Sequence, residues 1–163
     1  MAVRRALSLE QEIVEAFEHS GQVTEYLVSV LPRELWQRES PTGHGRTIAA
    51  MVAHIHGVRR TFAKMGGASV PPSLDRNRVT VVQASRALRQ TNSALTTLFR
   101  ESLRRGETRV KGLPRRSVNM MAYLIEHDAH HRGQIMTRVR ELGHSFAGVD
   151  VMRVWGWKRI ADS

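Results

Sequence analysis

The chain of 163 residues contains no cysteine. Disulfide frameworks, thiolate metal sites and cysteine nucleophiles are excluded in one step, and the redox compartment cannot be read from cysteine pairing. Lysine is scarce: Lys64, Lys111 and Lys158 are the only three among 25 basic residues, so arginine supplies most of the positive charge. With 15 acidic residues opposing them, the formal net charge is +10. That balance permits binding to anionic substrates, nucleic acid or acidic membranes, but it concerns electrostatics and not fold. No apolar run approaches ~18 residues, so no membrane-spanning helix is expected. Met1 to Leu9 hold two arginines without the apolar stretch of a signal peptide, and a soluble cytoplasmic protein is the expectation. No internal repeat or low-complexity tract is visible. No segment reads clearly as a strand.

What is present is helical periodicity between clear start and stop residues. Ser8-Leu9-Glu10-Gln11 has the form of a capping box and opens a first helix that runs to about Leu31, before Pro32. Its apolar stripe is Ile13, Phe17, Val23 or Thr24, Leu27, and Leu31 or Val30. A helical turn is expected near Glu34-Leu35-Trp36, and Glu39 to Gly45 is rich in turn residues. Thr47 is a fitting N-cap for a second helix ending near Met65 at Gly66-Gly67. Pro71-Pro72 forces an irregular linker, which suggests that the second and third helices are related by a crossing. Thr80-Val81-Val82-Gln83 is a second capping box, and its helix runs through Leu88, Leu95, Leu98 and Leu103 to about Arg105. Glu107 to Pro114 reads as a non-helical, extended connection. A fourth helix spans Ser117 to Leu142, with Gly143 beyond it, and the tail from Ser145 packs back as a short helix or turn. Helices over 8–31, 47–65, 80–105 and 117–142 describe an all-α four-helix bundle. Residues 1–163 suffice for one domain with a core of its own.

Of eight histidines, the periodicity singles out three. His127 and His131 are four apart and project from one face of a helix, a single turn from each other. On a helical wheel Met120, Leu124, His127, His131, Ile135 and Leu142 fall within roughly 80°, so the pair shares the core stripe. On the second helix Ile48, Met51, Ile55, Val58, Phe62 and Met65 form the expected buried arc. His54 lies at its edge. His56 is turned by about 140° from Met51 and is expected to face solvent or a partner. Two imidazoles on an apolar stripe would each be a desolvated polar ring unless satisfied, and one ion satisfies both together with His54. Three neutral nitrogen ligands suit a divalent ion and leave positions open for water or substrate. Zinc or nickel comes first, with iron or manganese as alternatives. Taken alone, a histidine such as His54 is more often a hydrogen-bonded core residue than a ligand.

Around these three, four residues are candidates for the surroundings of the site or the substrate pocket. Tyr123 stands one turn before His127 and offers either a phenol or a core aromatic. Asp128 is rotated about 100° from His127, a poor ligand beside it but able to hold a ring proton. Gln134 is placed to orient a ligand ring or substrate, or else is an exposed glutamine. His130 points outside the stripe, and Gly133 would let neighbouring backbone approach closely.

At these residues the sequence resembles the DinB/YfiT-like metalloenzyme superfamily. The matching positions are Ala53-His54 and His127-Asp128-Ala129-His130-His131-Arg132-Gly133-Gln134-Ile135, followed by Val139-Arg140-Glu141-Leu142-Gly143. The resemblance implies a bundle with a nonstandard connection order, a divalent metal on His54, His127 and His131, and a homodimer. It also implies kinship with transferases and isomerases that use mycothiol, bacillithiol or glutathione, hence a low-molecular-weight thiol as cosubstrate. His130 stands where many relatives have an aromatic residue, which leaves the rim of the site and its small-molecule substrate open. Trp36, Trp155 and Trp157 add aromatic surface suited to a dimer.

Three functions compete. The first is a metal-dependent enzyme that activates water or a thiol for transfer, isomerisation or hydrolysis. A zincin-type protease would need Asp128 to replace the glutamate of His-Glu-x-x-His and is disfavoured, because the third ligand comes from an earlier helix. The third is a non-catalytic module in which Arg104, Arg105, Arg109, Lys111, Arg115 and Arg116 contact nucleic acid or another anionic partner. With no aromatic interleaving for base stacking, a solvated basic face is the better account, and nucleic acid is not an expected partner.

Overall fold

Helix starts in this chain follow side chains that can satisfy the free amides of a first turn. In the computed structural model, which describes residues 8–156, α1 spans Leu9–Ser29 behind a Ser8/Gln11 capping box. Helix α2 spans Ile48–Met65, and the Thr47 hydroxyl accepts from Ala50 N at 3.1 Å. Helix α3 spans Val81–Arg104 behind the Thr80/Gln83 capping box. Helix α4, Ser117–Glu141, has no side-chain cap; Ser117 N donates instead to Thr108 O at 2.9 Å, tying the helix start to the preceding connection. A 3-10 turn covers Arg33–Leu35, and the tail forms a short α5, Gly148–Val154. The described residues are helices and loops without a strand. None of their helices is long and apolar enough to cross a membrane.

The four long helices do not pack in chain order. Helix α1 lies against α3 and α4, α2 also lies against α3 and α4, and the pairs α1/α2 and α3/α4 scarcely touch. The crossing expected at Pro71-Pro72 is therefore misplaced: α2 and α3 are neighbours joined by a long linker, and it is the connections α1 to α2 and α3 to α4 that cross. Trp36, expected at a dimer surface, is buried in the first of these connections. Its indole N–H donates to Val79 O at 2.7 Å, pinning the connection to the linker before α3. The second, residues 105–116, is a run of turns and not an extended segment.

Two apolar cores occupy the two ends of the helices. One gathers Leu27, Val28, Ile48, Val52, Ile55, Leu88 and Ile135; the other gathers Phe17, Ala63, Leu95, Phe99, Met120 and Leu124. On every long helix the stretch between the two is polar and still buried: Ser20 and Thr24 on α1, His56 and Arg59 on α2, Thr91 and Asn92 on α3, Asp128 and His131 on α4. A buried polar group without a partner is destabilising by a few kcal/mol, so this belt is where hydrogen bonding has to be dense. Gly21 belongs to it. A Cβ there would overlap the side-chain amide of Asn92, which donates to Glu18 O at 3.2 Å and so links α3 to α1 at close approach.

The buried arc of α2 differs from the expected one. Ile48, Met51 and Ile55 are buried, but Val58 and Phe62 are half-buried and Met65 is 46% exposed. Val52, His56, Arg59 and Ala63 occupy the inner face instead. A wheel weighted by hydropathy gives no inward pull to a histidine or an arginine, and two such residues turn the true arc. His56 is thus fully buried, not solvent-facing, and its Nε2 lies 3.1 Å from Pro72 O in the linker.

Candidate metal centre

His54 on α2 and His127 and His131 on α4 meet at the polar belt. One ring nitrogen from each lies within 4.8 Å of the other two. Ring centroids are 4.5 Å apart for His127 and His131, 4.7 Å for His54 and His131, and 5.3 Å for His54 and His127. His131 is buried; the other two are half-buried, so the cluster opens to one side.

Hydrogen bonds on the far side of two rings determine which nitrogen faces the centre. His127 Nδ1 lies 3.4 Å from Asp128 Oδ1. An ionised carboxylate only accepts, so Nδ1 carries the proton, and in the neutral ring the lone pair is on Nε2. Likewise His131 Nδ1 donates to Gln134 Oε1 at 2.8 Å, and the Gln134 amide donates onward to His130 Nε2 at 2.9 Å. His54 Nε2 and His127 Nε2 are 3.3 Å apart. Two imidazole nitrogens bound tetrahedrally at the usual zinc distance are about 3.3–3.4 Å apart, so the spacing and the donor set fit a divalent ion.

The electrostatics favour neutral rings at His54 and His131. Burial pushes the imidazolium pKa of His54 down, and the charges of His131, Arg46 and His127 push the same way. Burial also lowers that of His131, opposed by the bond to Gln134 and reinforced by His127, His130 and Arg46. A neutral ring is the form that donates a lone pair to a metal.

Behind His127 stands a network that the periodicity did not reveal. Asp128 is buried, and its second oxygen receives the guanidinium of Arg59, itself only 1% exposed. Burial pushes the Asp128 carboxyl pKa up, but the charge of Arg59, the bonds from His127 and Arg59, and Arg132 outweigh it and hold it below the ordinary value. Arg132 reaches α1, where its Nη1 donates to Thr24 Oγ1 at 2.9 Å and Ser20 O at 3.2 Å. Asp128 is four residues after Leu124 and three before His131, and Arg59 is four after Ile55. Charged residues at core spacing were the available indication.

The other expected residues distribute as follows. Tyr123 is half-buried at 6.0 Å from the His127 ring, edge-on to Phe62, with the Arg115 guanidinium 4.9 Å over its face. His130 is exposed beside His131. Gly133 does not admit close backbone: a Cβ there would meet nothing within 4 Å, and the residue is on the wall of an open groove. That groove, about 730 Å³, is bounded by Arg46, Met51, His131, Gln134 and Arg138 among others. A cavity of about 250 Å³, bounded by Arg46, Ala53, His54, Leu74 and Arg76, lies on the other flank. A larger groove of about 1090 Å³ between the Ser69–Arg78 linker and α3 contains none of the three histidines.

No curated protein and no solved structure matches the chain. The family model described as DinB family matches residues 3–160, nearly its whole length. By that match the chain belongs to the DinB family.

Proposed function

We propose that this protein is a metal-dependent enzyme of small-molecule chemistry, with His54, His127 and His131 as the ligands of one divalent ion, zinc or nickel before iron or manganese. The observation that carries the reading is the convergence of three imidazoles with one nitrogen each spaced for one ion, two of them, His127 and His131, held by hydrogen bonds at the outward nitrogen. Three ligands leave positions open. An ion held there lowers the pKa of a bound water or thiol and supplies a nucleophile near neutral pH.

The chain's own residues do the rest. Asp128 holds the Nδ1 proton of His127, and Arg59 keeps that carboxylate ionised. Gln134 does the same office for His131 and ties it to His130 at the rim. Tyr123 closes the flank nearest His127. In this reading a low-molecular-weight thiol is the cosubstrate and the reaction is transfer, isomerisation or hydrolysis. The four long helices take the family's bundle topology within one domain over 1–163, and the protein works in the cytoplasm as a homodimer. Val149 and Met152, exposed on α5, and Trp155 at its C-cap support the last point, Trp155 being 67% exposed. Trp157 lies outside the described residues.

The test incubates zinc- or nickel-loaded protein with mycothiol, bacillithiol or glutathione and an electrophilic acceptor, following loss of free thiol. Turnover with one thiol, abolished in the His54→Ala/His127→Ala/His131→Ala variant, is the expected result. Turnover unaffected by that variant would overturn it.

A further inference from the structure

We propose that Arg46, assisted by Arg76, recognises an oxyanion, a carboxylate or a phosphate, on the small molecule handled at the three histidines, and that Arg46 sets the site's preference for anionic over neutral compounds. This deepens the metal-site reading and rests on it.

Arg46 immediately precedes the N-cap of α2 and is exposed. It borders both cavities beside the histidines, the groove at His131 and the smaller one at His54, where Arg76 is the second charged wall. The single carboxylate on either wall is Glu141, and it is taken: Arg138 Nε lies 3.0 Å from its Oε2. Among the described residues neither Arg46 nor Arg76 has a carboxylate partner.

A guanidinium beside three metal-ligand imidazoles gains nothing for the fold. Next to a bound dication it is repelled, and in an open cleft the field of both is focused on whatever enters. A cation so placed becomes favourable when an anion sits between it and the metal. Arginine offers a planar fork of donors matched to carboxylate and phosphate oxygens. Arg46 is common to the walls of both cavities, one lined by His131 and the other by His54, so an anionic group held by it sits in a space that a metal-ligand histidine also lines.

The experiment follows the histidine ring nitrogens by NMR at constant pH while succinate, inorganic phosphate or neutral succinamide is added, first to the zinc-loaded chain and then to the metal-free one. Saturable shifts at His54 and His131 with succinate or phosphate, and none with succinamide, are expected; which anion acts decides between carboxylate and phosphate. Arg46→Ala should weaken the response at least about tenfold, the loss of one charge-assisted bidentate contact. Arg46→Lys should fall between, and Arg33→Ala, at an exposed arginine that lines neither cavity, should match the unsubstituted chain. Equal binding by Arg46→Ala, equal binding of succinamide, or no saturable shift in either form would overturn the proposal. Cobalt(II) uptake is measured separately: Arg46→Ala should load like the unsubstituted chain, whereas no uptake by the unsubstituted chain would defeat the metal reading and leave the metal-free titration to judge Arg46.

Discussion

His127 and Asp128, adjacent in sequence, are joined across their side chains, Nδ1 to Oδ1 at 3.4 Å, while the other Asp128 oxygen takes the guanidinium of buried Arg59. One carboxylate thereby serves a candidate metal ligand and the interior ion pair between α4 and α2. Asp128→Asn should lower zinc affinity by about 10–100-fold, as loss of a carboxylate behind a ligating imidazole commonly does. Because it also leaves Arg59 buried beside a neutral amide, it should destabilise the fold by about 3–5 kcal/mol. Zinc titration and urea unfolding read the two effects separately. Unchanged affinity in a folded Asp128→Asn protein would remove Asp128 from the site.

The close approach of α1 and α3 depends on the missing side chain of Gly21. Gly21→Ala should displace the Asn92 amide from Glu18 O and destabilise by about 1–3 kcal/mol, in spite of alanine's better helix propensity. Gly133→Ala, on an open face, should be neutral or slightly stabilising. Thermal unfolding of the two variants checks the contrast.

Stability should fall with acid. Burial holds the imidazolium pKa of His54, His56 and His131 below the ordinary 6.5 in the folded chain. For a base depressed in this way the unfolded state takes up protons first. The stabilisation is complete above pH 6.5 and is lost as pH drops below it. Asp128, with a depressed carboxyl, contributes in another window: its stabilisation is present above the ordinary carboxyl value and goes only as pH falls beneath it. The metal-free protein should therefore melt lower at about pH 6 than at about pH 8, and His56→Gln should flatten part of that slope. A His56→Gln slope equal to that of the unsubstituted chain would show that His56 titrates freely.

Much of this architecture was legible in the sequence because caps and periodicity are local. Ser8, Thr47 and Thr80 mark three helix starts to the residue, and the fourfold spacing of His127 and His131 on an apolar stripe needs no tertiary information. The order of packing was not legible, since Pro71-Pro72 says that the chain breaks there and not which helices become neighbours. Nor was the polar belt. Hydropathy counts Arg59, His56 and Asp128 as outward residues, whereas the Arg59–Asp128 ion pair and the contact of His56 Nε2 with Pro72 O make their burial tolerable. Trp36 misled for the opposite reason: with Trp155 and Trp157 it read as aromatic surface beyond what the core needs, while its N–H donates to the buried carbonyl of Val79.

The exposed apolar face of α5 offers a direct test of the homodimer. Sedimentation at micromolar concentration should give a dimer, and Met152→Glu with Trp155→Glu should shift it toward monomer. A monomer in the unsubstituted protein would reject the assembly.

Three histidines holding one ion is the central claim. Elemental analysis of protein loaded with zinc and freed of excess should give one equivalent per chain. Each of His54→Ala, His127→Ala and His131→Ala should lower occupancy sharply, while His144→Ala, on the loop after α4, should retain it. Full occupancy in the His127→Ala/His131→Ala double variant would contradict the assignment.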